Sequence, residues 1–368
     1  AEARVMEGGS ALKGATGGLS VSADHDDMRT LLAITMCLLA GCASSSPRVA
    51  DAGRPATSSP PALSGEVAQR VEPWEFAGAE GRVITTPNFR LYTTERDATL
   101  LNRTPAFLET ALDHYTRALT LLPRPSERMD TFLLDTRSQW QRMTLQILGA
   151  RGQNVSRVAR GGFAHAGKGV FFDVGVFDTL AIAAHEGWHQ YTQSTFRERM
   201  PAWAEESIAT YMEGHRWAGA SPVFLPWANV ERFDHLRRAH AEGRLMPLEA
   251  FVVSTPESLL TPVNDHLLTF YAQGWALVHF LHAHDGEASR KGLQAMLLDA
   301  QAGRLSATVT SRVTDRAFIE RATRDRSLLG EAVFRAYFGD PADVDARFRA
   351  FVGRLVRPAS RDRVVAGE

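Results

Sequence analysis

His185-Glu186-Gly187-Trp188-His189 places two imidazoles four residues apart, with a carboxylate directly after the first. On an α-helix four residues advance by about 400°, so both rings leave one face a turn apart and can converge on a single zinc ion. Glu186 sits about 100° further round, near enough to take a proton from a water at that metal without itself being a ligand. The chemistry served by this spacing is attack by an activated water. The bland alternative is a helix carrying two satisfied surface histidines. A second segment, PAWAEESIATYME (201–213), follows after a short connection and brings carboxylates back toward the first. Glu205 and Glu206 compete there as a third ligand, because neighbouring helix positions cannot both face the metal. Gly187 is costly inside a helix by about 1 kcal/mol relative to Ala and marks a place where another segment or a substrate packs closely.

The elements that must carry these residues read as α+β. FRLYTT after Asn88 alternates as a strand, Ala98 to Leu122 repeats as a long amphipathic helix stopped by Pro123, and MDTFLLD (129–135) is a second strand. A helix follows over Ser138 to Leu148. Gly161-Gly162-Phe163 and Gly169 to Asp173 form a hairpin about the turn AHAGKG, with apolar residues suited to a sheet edge. Asp178 caps the motif helix, which runs to about Phe196, and Pro201 opens the next, which reaches His215. Beyond Pro222 the chain is mainly helical, with amphipathic stretches at 227–242, 266–284, 287–302 and 328–356. No internal repeat is present.

Composition narrows the partners. Forty-one Lys+Arg balance forty-two Asp+Glu, so no global field draws the chain to nucleic acid. Both cysteines, Cys37 and Cys42, lie in one N-terminal stretch, which leaves His and carboxylates to do any metal chemistry in the remaining chain. Residues 31–41 (LLAITMCLLAG) are an apolar run too short to span a bilayer, preceded by Met28 and Arg29. Its end, Leu39-Ala40-Gly41-Cys42, resembles the lipobox of bacterial lipoproteins, which implies a lipid anchor on Cys42. Residues 1–27 are then an upstream extension, 28–41 a lipoprotein signal peptide, and 42–70 a Ser/Pro/Ala-rich flexible tether. With Ala43 and Ser44 after the cysteine, the resemblance points to the outer membrane. The remaining parts are 71–177 (α/β), 178–285 (zinc-binding) and 286–368 (helical).

The two metal segments together resemble the gluzincin, or peptidase MA-like, zinc peptidases. In that group the form P-x-W-x-x-E-G-x-A-x-Y-x-E follows HExxH, and Pro201, Trp203, Glu206, Ala209, Tyr211 and Glu213 match it in register. The resemblance implies that His185, His189 and Glu206 bind Zn2+, with Glu186 as general base. Register with Trp203 and Ala209 favours Glu206 over Glu205. Ser207 departs from the pattern's Gly. Downstream, FYAQGWALV (270–278) resembles a Y-x-Q-S-W-x-L-V helix of the same group, with Gly274 in place of Ser. Tyr271 is the candidate proton donor to an oxyanion, set against an ordinary aromatic core stripe. The implied fold is zincin-like: a small mixed sheet with an edge strand over the active-site helix, followed by a mainly helical C-terminal part. Gly169 to Asp173 stands where such enzymes bind an extended peptide. His279, His282 and His284 read as a solvated helix end, and His165 and His215 as structural. The expectation is a zinc-dependent envelope peptidase acting on peptide or protein; the alternative is a non-catalytic envelope lipoprotein that uses a peptidase-like fold for binding.

Overall fold

The computed structural model describes residues 67–155, 161–260 and 265–368. The expected extension, signal peptide and Cys42 lie outside them, as does all but the end of the expected tether. That end is already part of the sheet. Gln69 N–H donates to the Thr85 carbonyl at 2.8 Å, and Arg70 pairs with Thr85.

Strands β1 (Arg70–Phe76) and β2 (Ala79–Thr85) form a hairpin turned by Ala77 and Gly78, both at positive φ. That is the twist a two-residue turn needs. Pro73 and the surrounding charges hide this hairpin in the sequence; Pro73 is tolerated because β1 is an edge strand. β3 (Phe89–Thr93) leads into helix α1 (Ala98–Tyr115), capped by Asp97. The expected continuation to Leu122 is a turn instead. Thr116 bonds back to the Leu112 carbonyl, and Leu122 N–H closes on the Thr116 carbonyl at 3.0 Å. Leu119 and Leu122 are still buried, so the apolar repeat outlasts the helix.

Strand β4 (Met129–Leu134), helix α2 (Arg137–Leu148) and a short α3 (Gly152–Val155) come next, then strands β5 (Gly162–His165) and β6 (Lys168–Phe172). The six strands form one mixed sheet in the order β1-β2-β3-β4-β6-β5, with β3, β4 and β6 parallel. The peptide-edge expectation for Gly169 to Asp173 is therefore corrected. β6 lies between β4 and β5, and β5 is the edge. The run Gly169-Val-Phe-Phe172 is buried throughout, as an interior strand covered on both faces must be.

Helix α4 (Val176–Thr195) packs on β5 and β6, while Trp140 of α2 meets Phe163 and Phe172 on the opposite face. Its N-cap is Gly175; Asp178, the expected cap, falls in the first turn, where a carboxylate still complements the helix dipole. Every residue from Thr179 to Thr192 is buried. A Cβ on Gly187 would lie 2.5 Å from the Tyr115 hydroxyl, which donates to the Ala184 carbonyl. Gly187 is thus where α1 presses against the motif helix. Gln190 donates to the Asp130 and Gly167 carbonyls and fixes α4 to the sheet.

Helix α5 (Ala202–Met212) stops before His215, because His215 opens an unforeseen hairpin of β7 (His215–Ala218) and β8 (Ser221–Phe224). The helices that follow are α6 (Val230–Ala241), α7 (Leu248–Phe251) and α8 (His266–His279), the last continued by a π-helical turn over Phe280–His284. α9 (Gly286–Ala302), α10 (Leu305–Arg312), α11 (Arg316–Arg324), α12 (Leu329–Phe338), α13 (Pro341–Leu355) and α14 (Ser360–Ala366) complete an α+β architecture. The expected stretch 328–356 is two helices, split at Gly339 where Asp340 caps a new one and Pro341 starts it. Among the described residues no helix is long and apolar enough to cross a membrane.

Candidate metal centre

α4 and α5 bring three donor groups together. The Nε2 atoms of His185 and His189 stand 3.3 and 3.5 Å from one oxygen, Oε2 of Glu206. All three side chains are buried, and their donor atoms lie within 4.8 Å of one another, so the group could hold a metal ion. His185 and His189 share a face because they are four residues apart on α4; Glu206 meets them because α5 packs back on α4.

Each imidazole is held from behind by a carboxylate. His189 Nδ1 is 3.1 Å from Oε1 of Glu205, an oxygen that also accepts from Thr192 at 2.6 Å. Glu205 therefore stands behind His189 alone, while Glu206 faces the Nε2 side of both rings. Nδ1 of His185 is 2.8 Å from Oε1 of Glu213, just past the end of α5. Glu213 in turn receives Nε and Nη2 of Arg232 at 3.0 and 2.9 Å and Nδ2 of Asn229 at 2.8 Å. A carboxylate behind a ligating imidazole fixes its tautomer and raises its basicity.

These carboxylates set the electrostatics. Burial alone would lower the imidazole pKa values, but Glu206 and Glu213 raise that of His185, and Glu206 and Glu205 hold His189 well above its ordinary value. Burial likewise pushes Glu206 upward, yet the imidazoles hold it at about 2. The cluster demands positive charge, which protons or a metal cation can supply. A His₂Glu donor set is of the kind that binds zinc and leaves a position open.

Glu186 is fully buried beside the cluster, and neither carboxylate oxygen has a hydrogen-bond partner among the described residues. Burial raises its pKa to about 7. The Glu186 stem passes beneath the edge strand: a Cβ on Gly162 would come within 2.9 Å of Glu186 Cγ. Tyr271 of α8 meets His185 edge-on at 5.9 Å between ring centroids, and the Arg232 guanidinium stands 5.3 Å from its ring. The five side chains read from the sequence (His185, Glu186, His189, Glu206 and Tyr271) are thus neighbours.

His215, read as structural, is buried with its Nδ1 2.8 Å from the Glu213 carbonyl. The expectation of a solvated end for His279, His282 and His284 fails at His279. Its ring is buried, stacked 3.5 Å from Trp227 and edge-on to Trp275, because α8 is buried to its last turn. Only His284 of the three is exposed. Sequence reasoning missed the parts played by Thr192, Glu205, Glu213, Asn229 and Arg232. Two signals were available: Glu213 at the end of the matched pattern, and Arg232 on the same side of α6 as the apolar positions Leu236 and Ala239.

No protein-family model matches the chain, and no curated protein matches it.

Proposed function

We propose that this chain is a zinc-dependent peptidase of the cell envelope, of zincin-like (gluzincin) fold, anchored through a lipid on Cys42 to the outer membrane and facing the periplasm or exterior. The observation that carries the reading is the convergence of His185 Nε2, His189 Nε2 and Glu206 Oε2, with Glu186 buried beside them. Zinc held by these three residues would supply Lewis acidity for a water and a substrate carbonyl. Glu186 accepts the proton of the attacking water and returns it to the leaving amine. Its burial beside the donors, with a pKa raised to about 7, suits it to that exchange. Tyr271, wedged between His185 and Arg232, donates its phenolic proton toward the oxygen on which charge develops. The outer edge of β5 offers main-chain partners to an extended peptide, the role first read for Gly169 to Asp173. Lipid anchoring rests on the sequence pattern around Cys42.

The test is metal content and peptide hydrolysis of the full chain in mild detergent. Wild type is expected to hold near one zinc per chain and to cleave a mixed peptide library. His185→Ala is expected to lose both, and Glu186→Gln only the cleavage. Cleavage that survives Glu186→Gln refutes the mechanism. A second reading, a non-catalytic envelope lipoprotein whose zinc ties α4 to α5, is favoured by the burial of all three donors. A peptide hydroxamate separates the two, since it binds an open zinc tightly and ignores a closed one.

A further inference from the structure

Glu213 is a carboxylate with at least four donors around it. His185 Nδ1 and Arg232 Nη2 meet one oxygen; Arg232 Nε and Asn229 Nδ2 meet the other. An ionised carboxylate only accepts, so His185 must donate to Glu213 from Nδ1, which leaves Nε2, 3.3 Å from Glu206 Oε2, as the nitrogen that can exchange its proton for a metal. The whole assembly is buried, including the Arg232 guanidinium. Glu213 follows the last residue of α5, so no helical backbone holds it on both sides. What orients it comes from α6. Asn229 caps that helix, its Oδ1 accepting from Arg232 N–H, and the same residue's Nδ2 reaches Glu213.

We infer that Arg232, with Asn229, is a positioning residue of the metal centre: it clamps Glu213 bidentately, and through Glu213 sets the tautomer and aim of His185. The inference rests on the proposed function insofar as it takes His185, His189 and Glu206 to bind metal. A clamp serving only to join α5 to α6 could be apolar, since a buried ion pair is often no more stabilising than well-packed hydrophobic side chains. An apolar pair could not accept the Nδ1 proton of His185.

The experiment uses the full chain, stripped of metal, with zinc affinity measured by competition against a chromogenic chelator and ligand geometry by the visible spectrum of the Co2+ form. Arg232→Met, Glu213→Gln and the double variant are compared with wild type. Arg232→Met strands a buried carboxylate and can unfold the protein, whereas the double variant carries no unpaired charge and restores cooperative melting. Each folded variant is expected to bind zinc about 10–100-fold more weakly than wild type, the usual cost of losing a residue behind a ligand, with an altered Co2+ spectrum. The double variant should lose no more affinity than Glu213→Gln alone, because Arg232 acts through Glu213. Folded variants that keep wild-type affinity and spectrum overturn the inference and leave the metal centre standing. A wild-type chain that takes up neither zinc nor cobalt overturns the proposed function and, with it, the clamp.

Discussion

Ser207 and Gly274 are the two departures from the peptidase pattern, and they face each other across α5 and α8. A Cβ on Gly274 would lie 2.4 Å from Ser207 Oγ, 3.1 Å from its Cβ and 3.2 Å from its Cα. The pattern has Gly and Ser at these places; here the hydroxymethyl group stands on the other helix. The perturbation is Gly274→Ser, alone and with Ser207→Gly. In the single variant a rotation of Ser207 removes only the 2.4 Å contact, because its Cβ and Cα stay too close whatever the rotamer. The helices must part by a few tenths of an ångström. Overpacking of this kind costs about 1–3 kcal/mol, offset by roughly 0.5 kcal/mol as glycine leaves a helix interior. The net is a loss of about 0.5–2.5 kcal/mol. In the double variant the wall is gone, and the glycine penalty moves to α5, so stability returns to within about 0.5 kcal/mol of wild type. Urea denaturation of the two single variants, the double and wild type yields the coupling energy directly. Because α5 carries Glu206 and α8 carries Tyr271, zinc affinity should fall in Gly274→Ser and recover in the exchange. If Gly274→Ser is as stable as wild type, or the exchange as unstable as the single change, the close packing of α5 on α8 argued here is wrong.

Three further outcomes follow from the site and its surroundings. Glu206→Ala is expected to abolish zinc uptake, while Glu205→Ala, which removes only the carboxylate behind His189, keeps one zinc per chain at roughly 10-fold lower affinity by elemental analysis and chelator competition. Zinc at a thousand times its dissociation constant should stabilise the chain by about 4 kcal/mol, so a chelator should lower the melting temperature of wild type and not of His185→Ala. Glu95 is buried at the end of β3 with its pKa pushed up from 4.5 to about 8 by burial, so between those pH values the unfolded chain gives up a proton that the folded chain keeps. Stability then falls by up to about 1.4 kcal/mol per pH unit across that window and levels off above it, so Glu95→Gln should melt higher than wild type at pH 8 and equally at pH 4.

The legible parts were those written in local periodicity. The strands from Phe89 and Met129, the hairpin before the motif and the helices through His185 and Glu206 follow from alternation, helical repeats and prolines at helix starts. The β1–β2 hairpin escaped because Pro73, Gly78 and Gly81 interrupt its alternation, and β7–β8 because it is four residues a side. Strand order escaped for another reason. Chain order alone put Gly169 to Asp173 at the edge, whereas pairing with β4 is decided by the burial of Val170 and Phe172 on a second face under α2. At the site, four-residue spacing made His185 and His189 legible as a pair. The carboxylates behind them were not, since Glu213 reaches His185 only after α5 has ended and Arg232 arrives from across an intervening hairpin.

Glu186 is the residue that weighs the proposed hydrolysis against a purely structural role for a bound metal. A structural site has reason to satisfy every group around it, and Glu205, Glu206 and Glu213 are all engaged with imidazoles. Glu186 is as deeply buried, yet neither of its oxygens meets a donor among the described residues. A buried carboxyl that meets no donor among the described residues costs stability and calls for work that accounts for it. If that work is proton transfer, Glu186→Gln, which keeps the shape and removes the ionisable group, should keep zinc and melt no lower than wild type while hydrolysis falls by 100-fold or more, about the least that a general base contributes. If Glu186 instead braces the helix against β5, the same variant should melt several degrees lower, and the case for a base at this position would go with it.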